Sequence, residues 1–301
     1  MKESKKTQIN VELLDKTQDQ VEAKALKIIK SHPKIRKLIE HLNISDEEIL
    51  DNIVDFLNVK DSIECPNIYP WIYNVGRKKG ILYIKKIAAK NNFARNVIRS
   101  VNLILTDINN PNIDCKLSKM RTTANGRRKL VAKIKEVREL LEKKKPLNGI
   151  KNIYIYGANG TGKTYIGSAM ANSFSSRGIS SAYIRLADLF NFLKSKLNNS
   201  ISINKILNQL KNVSFLIIDD LGFEKHNNWF KYDFFYEVIQ YRNQKNKMTV
   251  LLSPFSQLEL AQYYRKIEDD MTQKVKLESL IHEISDNFDE FCINENLQTM
   301  S

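Results

Sequence analysis

Two short stretches of the chain combine residue types that can hold a phosphate and act on it. The first is GANGTGKT, Gly157–Thr164, between the apolar run Ile153–Tyr156 and the helical pattern YIGSAMANSFSS. It fits G-x-x-x-x-G-K-[ST] in full, in the strand–turn–helix context that gives the spacing its meaning. Gly157, Gly160 and Gly162 permit backbone turns that a side chain would hinder. Amide N–H groups and the helix start then surround the phosphates. Lys163 supplies charge to the outer phosphates, and the Thr164 hydroxyl can ligand Mg²⁺. The expected nucleotide contacts are Gly157, Asn159, Gly160, Thr161, Gly162, Lys163, Thr164 and Tyr165. The second stretch is FLIIDD, Phe215–Asp220. Its apolar residues predict a buried strand, and its carboxylates fall at the C-terminal tip, where parallel sheets bind ligands. Alone, an apolar run ending in Asp-Asp is more often a strand entering a turn. Downstream of a P-loop it reads as a Walker B strand, with Asp219 holding Mg²⁺ and Asp220, alongside Lys163, serving catalysis by orienting or deprotonating the attacking water.

These residues need a scaffold, and the sequence outlines one. From Ile153 onward short apolar runs (IYIY, SAYIRL, VSFLII, TVLLS) alternate with helical segments (YIGSAMANSFSS, LADLFNFLKSKL, FFYEVIQYRNQ). Such alternation predicts an α/β fold, a parallel sheet covered by helices. Upstream, ANGRRKLVAKIKEVRELLEKKKP predicts an amphipathic helix with an apolar stripe of Leu130, Ile134, Val137 and Leu141. Its other face is basic, with Arg127, Arg128, Lys129, Lys133, Lys135 and Lys143–Lys145, and is either merely solvated or a phosphate-binding surface. Pro146 closes the helix. The first part of the chain reads as a small, mainly helical domain. Val21, Ala25, Ile28 and Ile29 recur at helical spacing, Pro33 breaks the pattern, and Ser45 caps DEEILDNIVDFL. Cys65–Gly80 is turn-rich, ILYIKKI suggests a strand, and NNFARNVIRSVNLIL suits helix or strand. The expected boundaries are 1–106 for the N-terminal domain, 107–123 for a linker and 124–301 for the P-loop domain.

The apolar fraction of 42% suffices for real cores, and the net charge of +14 favours a polyanionic partner, though a lysine-rich codon bias would give the same figure. Cys65, Cys115 and Cys292 are odd in number and form no Cys-x-x-Cys pair, so neither a disulfide framework nor a zinc ribbon is supported. The N-terminus lacks the apolar core of a signal peptide, and no apolar run has the length of a membrane span; a cytoplasmic protein is expected. His32, His41, His226 and His282 show no metal-ligand spacing. Trp229, Phe230, Tyr232, Phe234, Phe235, Tyr236 and Tyr241 could stack on single-stranded bases, but Phe234, Val238 and Tyr241 share a helix face, which favours core packing.

With these residues in view, the P-loop region resembles bacterial replicative helicase loaders of the DnaI/DnaC type, AAA+ proteins related to the IstB transposition helpers. The similarity is carried by IYIYGANGTGKTYIGSAMANSFSSRGISSAYIRLADLF, by LIIDDLGFEKHNNWFKYDFFYEVIQYR and by LLSPFSQLEL. It implies ATP and Mg²⁺ as cofactors, and as partners a hexameric replicative helicase, single-stranded DNA and other primosome or initiator proteins, with no membrane. It implies a loader that delivers the helicase onto single-stranded DNA during replication initiation or restart, with nucleotide acting mainly as a switch. More faintly, CPN at Cys65–Asn67, YPWI and ILYIKK are similar to the zinc-bearing helicase-binding domain of DnaI proteins. The other metal ligands are missing, so no zinc is expected, and apolar packing must replace it.

Two departures matter. The family's sensor asparagine falls on Pro254, which has neither a side-chain amide nor a backbone donor. The family's intersubunit arginine belongs in a helix matching Lys274–Ser285, which holds no arginine; Arg265 is the nearest, and Arg242 is expected to be structural. Two rival readings follow, an IstB-like transposition helper and a nucleotide-binding adaptor with little or no hydrolysis.

Overall fold

A proline has no N–H for the helix ladder but fits the first helical turn, so Pro33 ends one helix and opens the next. The computed structural model describes residues 18–89, 91–120, 125–196 and 199–294. The chain divides into two compact units, Met1–Val97 and Ile98–Ser301.

The first unit begins with α1 (Gln18–Ser31), α2 (Pro33–Leu42), α3 (Asp46–Asp51) and α4 (Ile53–Glu64). The Ser45 hydroxyl accepts from the Glu48 N–H while the Glu48 carboxylate accepts from the Ser45 N–H, a capping box that starts α3. Ile29, Ile35, Ile49 and Phe56 are fully buried at the centre, whereas Val21 and Ile28, expected on the same stripe, are exposed. The turn-rich reading of Cys65–Gly80 is corrected in part: Trp71–Lys78 is a full strand, β1, paired antiparallel with β2 (Ile81–Ala88). Lys79 and Gly80, with φ 52° and 81°, make the two-residue turn whose twist suits a hairpin. Tyr73, Val75, Leu82 and Ile84 pack against the helices. Arg77 ties the hairpin down, with both terminal nitrogens 2.8 Å from the Glu48 carboxylate oxygens and its Nε donating to the Leu42 carbonyl. The hydrogen bond from Arg77, with that from the Ser45 N–H, pulls the Glu48 carboxyl down to about 2.

The ambiguous Asn91–Leu105 stretch resolves into both elements, helix α5 (Asn92–Asn102) running directly into strand β3 (Leu103–Ile104). The division between units falls inside α5, nine residues or so before the expected end of the N-terminal domain at 106. The second unit continues through α6 (Asn125–Glu142), β4 (Asn152–Tyr156), α7 (Lys163–Ser175), β5 (Ser181–Arg185), α8 (Leu186–Lys194), α9 (Ser200–Asn212) and β6 (Phe215–Asp219). A π-helical turn, Trp229–Phe235, leads into α10 (Tyr236–Gln244), followed by β7 (Met248–Ser253), α11 (Gln257–Ile267), α12 (Met271–Asn287) and β8 (Phe288–Cys292).

Among the described residues the second unit has six strands, all parallel, in the order β3-β5-β6-β7-β4-β8. Both faces of the sheet are buried, which is why its strands read as continuous apolar runs. Tyr154, Ile184, Leu216, Ile218 and Leu251 pack into one layer with α8 to α12. Ile153, Ile155, Tyr183, Ile217, Val250 and Leu252 pack into the other with α6 and α7. Gly167 lets α7 lie close on the sheet, since a Cβ there would come 2.7 Å from Leu252. Phe230, Phe234, Phe235 and Val238 are buried, so this aromatic cluster serves the core. Residues 107–120, expected as part of a linker, are packed: Asn172 donates to the carbonyls of Asn112 and Cys115, and Cys115 is buried. The remaining linker residues, 121–124, lie outside the described residues.

Candidate nucleotide site

Parallel strands all end on one edge, and that edge carries the chemistry. β4 delivers Gly157–Gly162, and α7 starts at Lys163. Gly162 sits at φ 90°, a left-handed conformation that glycine alone adopts freely, and no side chain caps the helix it precedes. The first amides of α7 therefore face the loop, as an anion site requires. Lys163 is buried, and its ammonium donates to the carbonyls of Gly157 at 2.7 Å and Ala158 at 3.0 Å. Burial pulls its pKa down, against the opposing pull of Asp219 and Asp220.

The loop is gripped from outside. The Thr161 hydroxyl donates to the Ala158 carbonyl at 2.8 Å, and Arg127 Nη2 donates to the Thr161 carbonyl at 3.0 Å. On the other side Asn294 Oδ1 accepts from the Ala158 N–H at 2.9 Å, just after β8. Arg127 therefore leaves the basic face to which the sequence assigns it: it is 3% exposed and braces the P-loop. Lys133 also differs, pairing with Asp289 at 2.9 Å. Arg128, Lys129 and Lys135 are exposed as expected.

β6 supplies the two carboxylates. Asp219 is fully buried; its Oδ2 accepts from the Tyr183 hydroxyl at 2.6 Å and its Oδ1 from the Asp220 N–H at 2.9 Å. Burial pushes its pKa up, countered by hydrogen bonds from Tyr183 and from Thr164. Thr164 therefore stands near the Asp219 carboxylate, across the ends of two strands that β7 separates. They form a pair of hard oxygen donors of the kind Mg²⁺ takes.

Asp220 is held differently. Its backbone is left-handed, with φ 62°, and its carboxylate lies at the tip of the neighbouring strand β5. There Arg185 donates to Asp220 Oδ2 through Nε at 2.9 Å and lies 2.8 Å away through Nη2. Asn109 completes this corner, accepting from the Arg185 N–H at 2.8 Å and donating to Asp188 at 2.7 Å. The loop after Asp220 is anchored by buried Glu224, which accepts from the Gly222 N–H and from the Tyr264 hydroxyl.

β7, between the two halves, ends at Ser253, whose hydroxyl donates to the Leu221 carbonyl at 2.7 Å, and Pro254 follows. The two candidate arginines are both engaged. Arg265 makes a two-point contact with Glu278 at 2.7 and 2.6 Å. Arg242 is fully buried at the opposite edge of the sheet, donating to Thr249 and to the carbonyls of Leu210, Val213 and Met248. Burial pulls its guanidinium down to about 9.

The sequence motifs pointed to Lys163, Thr164, Asp219 and Asp220, and the fold brings these together. Arg127, Tyr183, Arg185 and Asn294 escaped them. Only the strand order β5-β6 puts Tyr183 and Arg185 beside the Asp-Asp pair, and only β8 brings Asn294 to the P-loop. Among the described residues no group of three or more His, Cys, Asp or Glu side chains is placed to hold a metal, and no helix is long and apolar enough to cross a membrane.

A family model described as IstB-like ATP binding protein matches residues 129–286. The chain belongs to this family, on an AAA+ fold. It is similar to the replicative helicase loader DnaI of Bacillus subtilis, 28% identical over 44% of this chain and 43% of that protein. The replicative helicase loader DnaC of Escherichia coli is 26% identical over 46% of this chain and 55% of that protein. The matches thus span about half the length of these relatives. A crystal structure of DnaI superposes with a TM-score of 0.51 at 26% identity, covering 65% of this chain and 97% of that one.

Proposed function

We propose that this chain is a cytoplasmic, ATP-dependent loader that delivers a hexameric replicative helicase onto single-stranded DNA, with nucleotide acting mainly as a switch. The observation that carries this reading is the contrast within one site: a complete, braced P-loop beside an Asp220 carboxylate that Arg185 already holds. Its similarity to DnaI and DnaC supplies the loader context.

ATP with Mg²⁺ supplies a polyphosphate whose charge the site can bind and sense. Lys163 and the α7 amides would bind the phosphates, Thr164 and Asp219 would hold the ion, and Tyr183 fixes the Asp219 carboxylate. Asp220 is the carboxylate that would take the proton of an attacking water, and Arg185 holds its Oδ2. Nucleotide binding biases the protein between states of different partner affinity, as any two-state switch requires. The exposed Arg128, Lys129 and Lys135 suit phosphate contacts with DNA. Primosome or initiator proteins are further candidate partners.

The test is reconstitution with the purified replicative helicase of the same organism. ATP-dependent helicase binding and loading onto single-stranded DNA, lost in Lys163→Ala, supports the reading; no complex with that helicase contradicts it. A second reading, a nucleotide-binding adaptor without turnover, is favoured by the Arg185–Asp220 pair together with Pro254. Tight ATP binding with no hydrolysis even on helicase and DNA would select it.

A further inference from the structure

Helix α8 begins without a cap of its own. Its N-cap position is Arg185, whose side chain makes no capping hydrogen bond among the described residues. In a capping box the acid three residues on reaches back to the N-cap N–H. Asp188 is the acid at that position, but the side-chain amide of Asn109 stands between the two. Asn109 Oδ1 accepts from the Arg185 N–H at 2.8 Å, and its Nδ2 donates to Asp188 Oδ2 at 2.7 Å. The Arg185 backbone stays extended, with φ −87° and ψ 128°, and so continues β5. Its side chain then reaches the neighbouring tip of β6, where the guanidinium meets Asp220.

Two carboxylates compete for that guanidinium. Asp220 Oδ2 lies 2.9 Å from Nε and 2.8 Å from Nη2, whereas Asp188 Oδ2 lies 3.7 Å from Nη1. The Asp188 oxygen that faces Arg185 is the one to which Asn109 donates. A short hydrogen bond to a carboxylate fixes it and answers part of its charge, so Asn109 weakens the rival of Asp220. Asn109 is itself held. The N–H groups of Ile108 and Asn109 both donate to the Leu105 carbonyl, in a turn where Leu105 is left-handed and buried. Beyond it Asn172 of α7 donates to the carbonyls of Asn112 and Cys115, and the Lys116 N–H donates to the hydroxyl of Tyr165, next to Thr164.

We propose that Asn109 is a positioning residue of the nucleotide site: it keeps Arg185 on Asp220 by fixing the Arg185 backbone and restraining Asp188. The segment after β3 thereby sets how firmly turnover is restrained. This rests on the reading above, in which Asp220 takes the proton of the attacking water and Arg185 holds it back. Without the Asn109 amide, Asp188 is free to draw the guanidinium to itself and leave Asp220 open.

The test measures ATP affinity and steady-state hydrolysis on the full chain. Asn109→Ala is expected to raise kcat about two- to fivefold, the weight of one hydrogen bond, with ATP affinity unchanged. The same change made in Arg185→Gln should add nothing, because the two residues act through one contact. Asp188→Asn, which removes the rival charge, should bring the kcat of Asn109→Ala back to near the wild-type value. A residue that only supported the fold would lower the melting temperature and move kcat alike in both backgrounds. A second measurement reads the contact without turnover: hydrogen exchange at the Arg185 Nε–H in arginine-labelled protein, assigned by its loss in Arg185→Gln. Exchange should be about two- to fivefold faster in Asn109→Ala. If Asn109→Ala leaves both exchange and kcat at wild type while Arg185→Gln raises kcat, the proposal is wrong and the restraint by Arg185 stands. If Arg185→Gln does not raise kcat, the restraint itself fails, and Asn109 with it. An equal rise of kcat in both backgrounds also overturns the proposal, since Asn109 would then act by another route.

Discussion

Two strand ends of one sheet edge, those of β4 and β6, face the same nucleotide site but are finished differently. After β4 each group has a partner that fixes it for binding. Lys163 is fastened to the loop carbonyls, Thr161 to Arg127, and Ala158 to Asn294. After β6 the first carboxylate is equally fixed, by Tyr183 and Thr164, whereas the second is diverted to Arg185. Pro254 stands where a sensor amide would be expected, and Arg265 is paired with Glu278. An arginine supplied to a phosphoryl-transfer site can be worth about 10³–10⁵ in rate. The difference teaches that nucleotide binding and nucleotide turnover are separate properties of this edge, and that the binding half is the more completely built.

Breaking the binding half should have the largest effect. Lys163→Ala is expected to weaken ATP affinity by about 100-fold or more, measured by calorimetry, with the fold retained. Asp219→Asn comes next. Its folded pKa is raised, so the unliganded domain binds this proton more tightly than the unfolded chain, and stability falls as pH rises from about 3.8 through the raised value. Wherever the carboxyl is ionised it is therefore a cost, and at a pH above the raised value the variant should melt higher than wild type without ligand. The same variant should lose most of the Mg²⁺-dependent gain in ATP affinity; a lower melting temperature without ligand would contradict this.

Sharpening the catalytic half should have a smaller and opposite effect. Arg185→Gln frees the Asp220 carboxylate while leaving the P-loop untouched, so kcat is expected to rise about three- to tenfold with ATP affinity unchanged. A fall in kcat would make Arg185 a contributor to hydrolysis rather than its restraint. The smallest effect lies in the first unit. Glu48 is depressed to about 2, so its pair with Arg77 adds stability that is present above 4.5 and lost as pH falls toward 2. Glu48→Gln keeps the cap on α3 and removes only the charge. It should lower the melting temperature of that unit by about 1–3 °C at pH 7, with the gap closing in acid.

Much of the binding half was legible in the sequence because its groups are consecutive. A P-loop is a local motif, and the turn, the helix start and the lysine need no distant partner to be recognised. The parallel sheet was legible for a related reason, since strands buried on both faces leave continuous apolar runs. The parts that were not legible depend on strand order. Arg185 and Asp220 are distant in sequence and meet only because β5 and β6 are neighbours. Asn294 reaches Ala158 because β8 adds to β4 at the sheet edge, and β8 itself, FDEFC, is too short and too polar to announce a strand. Arg127 misled for a physical reason: a basic run on an amphipathic helix looks solvated, and only the helix's docking shows which residue turns inward. The hairpin strand β1 was read as turns because Gly76 and the prolines before it carry turn signals, while Tyr83 above Gly76 supplies the packing that glycine lacks.

The most direct test of the division between binding and turnover is steady-state ATP hydrolysis by the wild-type chain at saturating ATP and Mg²⁺, with helicase and single-stranded DNA present, set beside its ATP affinity. Micromolar or tighter binding with kcat below about 0.1 s⁻¹ is the predicted result. Turnover within the ordinary enzyme range of about 1–10³ s⁻¹ would contradict it.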